Sequence, residues 1–389
     1  MKRSRFGRRS GLSPDAEQLV WLANGLAESG SRQEDRFWEK RLVDIVDSLL
    51  DANDDEIFNE AFDHLHPVSS RAYDELADFV ESRAETAFRR RGEQDVLLIA
   101  APVLAWSRFR IPAGTIPPAV LANLRVHLQA HVLADEVRMA MADHLFSPDQ
   151  LPVGYCATAG FAEELGAEAL NNRDMRVDAE GMPETNQFLS DLRYLLAAVA
   201  VPRGAPVFRW QEQGGNREHS LEQWRNQGGA CLAPLLPGCA VEVVLPETYF
   251  AASRQADRES RPYSVRASVA FLGTTLEAPA SGLRAVVAPF HDRQLEEFRI
   301  GFTLKPSNDV VHGVVWPLLG AEDDEAESIA QIEATLRDCG VQEILVLDHP
   351  FPLEYCDDCG APYYPSPDGE AVHAELPEEP AEHMPRHLH

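Results

Sequence analysis

The amino-acid sequence predicts an α/β fold of the α+β type, in which a helical N-terminal domain precedes two or three β-α-β modules with an antiparallel strand insertion. Three observations lead to this prediction. Residues 11–92 show helical periodicity throughout. The run DVLLIAAPVLAW at 95–106 has the length and continuous apolar character of a buried strand. Residues 263–306 alternate between apolar and polar side chains, which is typical of antiparallel strands.

Start and stop signals divide the N-terminal segment into four amphipathic helices. Ser13 followed by Pro14 marks the start of the first helix, and Ser31 with Glu34 forms a capping box for the second. Pro67 ends the third helix and separates it from the fourth. Four amphipathic helices with short links predict a small helical domain.

The β-α-β pattern that follows recurs along the chain. The first unit runs from the strand at 95–106 through a helix to EVRMAMADHLF at 136–146. APVLAW at 101–106 returns 104 residues later as APVFRW at 205–210. A third, shorter unit spans 310–351. Internal duplication is one hypothesis, and chance matches between generic strand–helix–strand units are the alternative, because few residues match.

These patterns predict a division of the chain into six parts. The predicted parts are a basic disordered tail (1–10), a helical domain (11–93), a first α/β module (94–180), a second α/β module (181–260), a region of antiparallel strands with the third module and a Cys-x-x-Cys turn (261–375), and a disordered acidic and His-rich tail (376–389).

Charge and composition exclude several classes of function. The net charge is −28 at pH 7, so nucleic acid is not expected as a partner, because phosphate binding needs an excess of Lys and Arg. No apolar run approaches the length of about 18 residues that a membrane-spanning helix requires. The basic start has no apolar segment behind it, so no secretory signal is expected. Six unevenly spaced cysteines do not form a disulfide framework, and a cytoplasmic location with reduced thiols is expected.

Acidic residues at the ends of the closing strands are candidate catalytic residues. In α/β sheets, ligands bind beyond the carboxyl ends of the strands. Asp143, Glu247 and Asp348 are predicted to lie at such ends, and His144 and His349 stand beside two of them. Carboxylates and histidines are typical acid/base or metal-ligand groups. The alternative is that the acids form local hydrogen bonds in turns.

The Cys-Asp-Asp-Cys-Gly turn at 356–360, called the knuckle below, is the candidate metal site. Cys356 and Cys359 have the spacing that places two thiolates on one tight turn. Zinc prefers four N or S ligands in a tetrahedral array, and the nearest histidines in sequence are His349 and His373. The four residues predict a Cys₂His₂ site that holds a structural zinc ion.

Unligated thiols and a redox pair are alternatives to zinc at the knuckle. A redox pair is less favoured because the cysteines do not begin a helix after a strand, where the pKa of a thiol is lowered. The carboxylates of Asp357 and Asp358 are also expected to raise the pKa of both thiols by like-charge repulsion.

Three stretches of the sequence resemble a β-proteobacterial family of cytoplasmic proteins that is classified as a domain of unknown function. They are APVLAWSRFRIP at 101–112, SPDQLP at 147–152 and CDDCGAPYYPSPDGEAVHAELPE at 356–378. The resemblance covers nearly the whole chain and implies no activity. It implies that the segment from the knuckle through His373 belongs to the folded protein.

Two functions of different class are consistent with the sequence. The first is a non-catalytic binding or regulatory protein with a structural zinc ion and an unidentified protein or small molecule as its partner. The second is a metal-assisted or acid/base enzyme that uses Asp143, His144, Glu247 and Asp348. Convergence of these side chains in one pocket distinguishes the second function from the first.

Overall fold

The computed structural model describes residues 11–87, 94–186, 188–320 and 324–377. The predicted tail at 1–10 and most of the predicted tail at 376–389 lie outside the described residues. The helices are α1 (Pro14–Ala27), α2 (Arg32–Ala52), α3 (Asp55–Leu65), α4 (Ser70–Ala84), α5 (Pro118–His131), α6 (Gly154–Leu170), α7 (Arg217–Gln223), α8 (Gly229–Leu232), α9 (Tyr249–Thr275) and α10 (Glu325–Asp338).

The strands form two larger sheets and one short hairpin. They are β1 (Gln94–Trp106), β2 (Gly114–Thr115), β3 (Arg138–Phe146), β4 (Ser190–Pro202), β5 (Ala240–Val243), β6 (Glu247–Thr248), β7 (Leu283–His291), β8 (Leu295–Leu304), β9 (Val310–Pro317), β10 (Glu343–Val346), β11 (Phe351–Pro352), β12 (Tyr364–Pro365) and β13 (Ala371–Val372). The mixture of helices with antiparallel and mixed sheets confirms the predicted α+β class.

Residues 11–87 contain the four predicted N-terminal helices. The hydroxyls of Ser13, Ser31 and Ser69 each accept a hydrogen bond from a backbone N–H in the first turn of the helix that follows. The apolar faces of α1–α4 share one core with Cys156 and Ala159 of α6. The helical segment therefore packs against the α/β part of the chain, and the predicted domain boundaries remain predictions.

The first sheet has the order β2-β3-β4-β1-β5, with β6 also paired to β1, and each of these pairings is antiparallel. Its centre is β1 paired with β4 over the full length of both strands, from Gln94↔Pro202 to Trp106↔Ser190. In the first predicted module, β1 and β3 are therefore parallel but not adjacent, because β4 lies between them. Neither β4 nor α6 was predicted from the sequence.

The prediction of a strand at 205–210 was wrong. Phe208 begins a short 3₁₀ turn, and its ring stacks on Trp210 with a centroid distance of 4.5 Å. The backbone N–H groups of Val207 and Phe208 donate to the side-chain oxygen of Gln211. A side chain accepts the hydrogen bonds of these two N–H groups, so they need no partner strand. The second copy of the proposed repeat therefore lacks its first strand.

The prediction of a strand at 263–273 was also wrong, because this segment is the second half of the helix α9. The sequence alternates, but Val265, Ser268, Val269 and Leu272 also fit helical spacing, and all four are buried. Burial of this face against the second sheet decides in favour of the helix.

The second sheet has the order β10-β7-β8-β9, with β11 also paired to β7. β7, β8 and β9 are antiparallel neighbours, and their strands were predicted from the sequence. α10 returns the chain to the other edge, where β10 lies parallel to β7. The two strands of the third predicted module are therefore separated by β7 and β8. Among the described residues, no helix has both the length and the apolar character needed to cross a bilayer.

Glu85 connects the N-terminal helices to the start of α9. It directly follows α4, and its Oε2 accepts a hydrogen bond of 3.1 Å from the N–H of Phe250 in the first turn of α9. The residue is 8% exposed. Burial raises the pKa of the Glu85 carboxyl to about 7, although the bond from Phe250 opposes this shift.

We predict that Glu85→Gln stabilises the protein at pH 8 but not at low pH. The folded-state pKa of about 7 exceeds the ordinary value of 4.5, so the folded state binds this proton more tightly than the unfolded state. The stability that Glu85 contributes is complete below the unfolded-state pKa and is lost as the pH rises through the folded-state pKa. A carboxamide still accepts the Phe250 hydrogen bond and is never charged. We expect the variant to gain up to about 3 kcal/mol in free energy of unfolding at pH 8.

Urea denaturation of both proteins at pH 4 and pH 8 measures this effect. Glu39→Gln on the exposed surface of α2 is the control for loss of one carboxylate. An equal difference between wild type and Glu85→Gln at the two pH values would contradict the prediction.

Candidate metal centre

Arg299 on β8 holds both ends of the segment that contains the knuckle. Its guanidinium is fully buried. Nη1 donates to the carbonyl oxygens of Glu354 and Tyr363, each at 2.8 Å, and Nε donates to Glu297 at 2.6 Å. The two carbonyls stand on either side of the knuckle, so one side chain closes the loop and fastens it to the second sheet.

Backbone hydrogen bonds shape the knuckle between these two ends. The N–H of Cys356 donates to the carbonyl of Ala361, and the N–H of Gly360 donates to the carbonyl of Cys356, both at 2.8 Å. Gly360 has a φ of +71°, a left-handed conformation that glycine adopts without a steric penalty. The result is a tight turn that carries Cys356 and Cys359 close together.

The hairpin β12-β13 then brings His373 back to the knuckle. Tyr364 pairs with Val372, and Pro365 pairs with Ala371. The hairpin lies directly on two glycines of the second sheet. A Cβ on Gly301 would lie 2.3 Å from the carbonyl oxygen of Pro365, and one on Gly313 would lie 2.2 Å from the Tyr364 ring. These glycines allow the close approach that places His373 beside the cysteines.

Cys356, Cys359 and His373 form one cluster of potential ligands. Their donor atoms all lie within 4.8 Å of one another, and Cys359 Sγ is 3.2 Å from His373 Nε2. A tetrahedral zinc ion with bonds of about 2.0–2.3 Å separates its ligand atoms by roughly 3.3–3.8 Å. Two thiolates and one imidazole are therefore a donor set of the right chemistry and spacing for zinc.

The structure does not bring His349 into this cluster. His349 is exposed, its ring lies 4.3 Å from that of Phe351, and its Cε1 is 3.4 Å from where a Cβ of Gly369 would be. Gly369 is in the hairpin turn, whereas His373 follows the other end of β13. Three residues separate Gly369 from His373, and because a strand advances about 3.3 Å per residue, the four steps span up to roughly 13 Å.

The pKa of the Cys356 thiol is lowered. The prediction that Asp357 and Asp358 raise it was therefore wrong for this residue. The backbone N–H groups of Asp358 and Cys359 donate to its sulfur and stabilise the thiolate. Asp357 and Asp358 are exposed, so water screens their carboxylates. The thiolate is the form that binds a metal.

The first two strand-end candidates lie in β3. The Asp143 carboxylate accepts a hydrogen bond of 2.7 Å from the N–H of Val177, 34 residues further along the chain, so it joins two distant segments. His144 is 2% exposed, and its Nε2 lies 3.4 Å from the side-chain oxygen of Gln150. Burial lowers the pKa of His144 and favours the neutral imidazole.

The other two candidates lie elsewhere. Glu247 on β6 forms an ion pair of 2.5 Å with Arg217, and β4 and β1 separate it from Asp143 on β3. Three strand spacings correspond to roughly 14 Å. Asp348 is exposed and follows β10 of the second sheet. The structure therefore does not gather these side chains into one pocket.

Fold and site together define an α+β protein with a Cys-Cys-His candidate metal centre on a loop held by a buried arginine. The chain belongs to a family described as "Protein of unknown function (DUF2863)", whose model matches residues 4–387. This match confirms the resemblance to a family of unknown function. No curated protein and no solved structure matches the chain.

We predict that Arg299→Lys weakens both the fold and the metal centre. A lysine keeps the charge but lacks the planar fork that reaches two carbonyls and Glu297 at once. Loss of hydrogen bonds from a buried charged group is expected to lower the free energy of unfolding by roughly 2 kcal/mol or more. Loosening of the cysteines is expected to lower zinc affinity roughly tenfold.

Chemical denaturation and competition with a chromophoric zinc chelator measure these two effects. Arg284→Lys on the neighbouring strand β7 is the control, because Arg284 pairs with Glu343 away from the knuckle. Unchanged zinc affinity in Arg299→Lys would contradict the anchoring role of Arg299.

Proposed function

We propose that this protein is a non-catalytic binding or regulatory protein whose C-terminal knuckle holds a structural zinc ion. The observation that carries the metal assignment is the grouping of the Cys356, Cys359 and His373 donor atoms within 4.8 Å. Soft thiolates with an imidazole favour zinc over magnesium or calcium, which prefer oxygen ligands. Three protein ligands leave the fourth position to water or to a donor outside this cluster.

The position of the ligands in the chain supports a structural role. Cys359 and His373 are 14 residues apart, on the knuckle and just beyond the hairpin. A metal ion that bridges them closes a loop, as a disulfide does. In the chain-entropy treatment, a cross-link over about 15 residues contributes roughly 3 kcal/mol. Zinc at this position would stabilise the segment 354–373 on the second sheet.

The non-catalytic assignment is supported by the arrangement of the four strand-end candidates. The enzyme alternative requires them to converge, but the Asp143 carboxylate accepts a backbone hydrogen bond, and Glu247 is paired with Arg217. His144 is buried, which lowers its pKa, and Asp348 follows β10 of the other sheet. This arrangement supports separate roles for these side chains over a shared catalytic one.

The charge and the thiols indicate the setting in which such a protein would act. A net charge of −28 at pH 7 favours a protein or small-molecule partner over nucleic acid. A reducing compartment keeps thiols free to bind a metal, so the proposal includes a cytoplasmic location.

We predict that the purified protein contains about one equivalent of zinc. Cys356→Ser/Cys359→Ser and His373→Ala should each lose most of it, because the one or two protein donors that remain cannot hold zinc tightly. His349→Ala should keep it, because His349 lies at the other end of the hairpin. Inductively coupled plasma mass spectrometry of dialysed protein measures the metal content.

Cys339→Ser controls for loss of a thiol, since Cys339 follows α10 and packs with the core of the second sheet. Metal-free wild-type protein that is fully folded would contradict the zinc assignment. Loss of zinc in His349→Ala would contradict the three-ligand set.

We also predict that removal of zinc unfolds the end of the described chain locally. In hydrogen exchange, residues 354–373 should lose protection by roughly two orders of magnitude, the equivalent of about 3 kcal/mol. The β1–β4 ladder should keep its protection, because its hydrogen bonds and core do not involve the knuckle. Mass spectrometry of chelator-treated and zinc-loaded protein compares the two regions. Uniform loss of protection in both would show that zinc supports the whole fold.

A further inference from the structure

A cleft of about 290 Å³ lies at the edge of the first sheet, away from the knuckle. One wall is formed by α7 and the turn after it, the second by the segment from β5 to β6, and the third by α9. Ligand sites in proteins usually have volumes of about 300–1,000 Å³. The cleft is therefore suited to a small molecule.

The floor of the cleft is apolar. Val244 and Leu245, between β5 and β6, are buried, and Leu104 of β1 and Leu221 of α7 also line the cleft. These aliphatic side chains offer a surface for a small hydrocarbon group, whose transfer from water is favourable.

Arg225 supplies a positive charge at the cleft. Its Nη2 lies 3.6 Å from Glu242, and the other oxygen of Glu242 is held more closely by Arg266, at 2.9 Å. Two guanidinium groups therefore share one carboxylate. The Arg225 side chain is 49% exposed, so its remaining donors can bind a carboxylate of a ligand in the bidentate manner that arginine favours.

Glu259 supplies a negative charge at the same cleft. This residue of α9 is half-buried and accepts a hydrogen bond of 2.9 Å from the amide nitrogen of Gln255. Among the ion pairs of the described residues, none involves Glu259. A carboxylate next to an apolar floor, without a cation of its own, is a suitable partner for an ammonium group.

The wall that carries Arg225 has an unusual backbone. Residues Trp224–Gly228 form a π-helical turn between α7 and α8. Trp224 is fully buried, and a Cβ on Gly228 would lie 2.3 Å from its ring, so glycine is required at this position. Single π-helical turns are frequent at functional sites, because they redirect side chains that a regular helix would place elsewhere.

We propose that this cleft binds a small zwitterion with an apolar side chain, the chemical class of the aliphatic and aromatic α-amino acids. Arg225 would bind the carboxylate, Glu259 the ammonium group, and the floor of Leu104, Leu221, Val244 and Leu245 the side chain. The inference rests on the binding role proposed above and is independent of the metal.

Isothermal titration calorimetry with zinc-loaded protein tests the proposal. The probes are L-leucine and L-phenylalanine, L-leucinamide, which lacks the carboxylate, and N-acetyl-L-leucine, which lacks the ammonium group. We expect the two amino acids to bind. Each derivative should have an affinity at least roughly tenfold lower, since each loses a charge-assisted hydrogen bond. Absence of binding, or equal binding of leucine and both derivatives, would overturn the proposal.

Variants of Arg225 and Glu259 test which side chain binds the carboxylate of the ligand and which binds its ammonium group. Glu259→Gln should weaken leucine binding and leave N-acetyl-L-leucine unaffected, whereas Arg225→Gln should weaken leucine and leave L-leucinamide unaffected. Glu39→Gln on α2 and Arg337→Gln on α10 control for charge at exposed positions. Equal leucine binding by wild type and both cleft variants would contradict the site. Cys356→Ser/Cys359→Ser should bind leucine normally, so failure of the zinc assignment and failure of this site are distinguishable.

Discussion

The buried guanidinium of Arg299 is the interaction on which the C-terminal part of the structure depends. A charge in an apolar core is tolerated only when it is paired and hydrogen-bonded. Glu297 neutralises it, two main-chain carbonyls accept its Nη1 protons, and its centre lies 4.2 Å from the Phe290 ring. Separation of the knuckle from the second sheet would leave this charge with fewer acceptors. The same side chain therefore holds the loop closed and sets the position of Cys356 and Cys359.

Much of the fold could be predicted from the sequence, because caps and strong periodicity are local signals. The capped helices at the start, the apolar run of β1 and the strands β7–β9 are of this kind. Elements whose identity depends on tertiary contacts were missed. The segment 263–273 fits both periodicities, and burial against the second sheet decides it. β4 was overlooked although LRYLLAAVAVP at 192–202 is an apolar run of strand length.

The candidate site could be predicted only in part, because some of its signals are local in sequence and others depend on tertiary contacts. Cys-x-x-Cys spacing is local, and His373 follows it closely, but the exclusion of His349 depends on the turn of a hairpin that sequence spacing does not show. The sequence contains a signal for Arg299, because the acid Glu297 stands two positions earlier in an apolar strand. The same arrangement recurs at Asp191 and Arg193 on β4, where the arginine is again fully buried. Residues two apart in a strand share a face, so such a pair can neutralise itself in a core.

The central claim is that two thiolates and one imidazole of this chain hold zinc in a structural site. Zinc K-edge X-ray absorption of the purified protein tests it most directly, because sulfur and nitrogen neighbours differ in bond length. The account predicts two sulfur atoms at about 2.3 Å and two nitrogen or oxygen atoms at about 2.0–2.1 Å. Substitution of His373 by alanine should remove most of the bound zinc, and the zinc that remains should lack the imidazole scattering. A shell of oxygen and nitrogen alone, or of four sulfur atoms, would contradict the account.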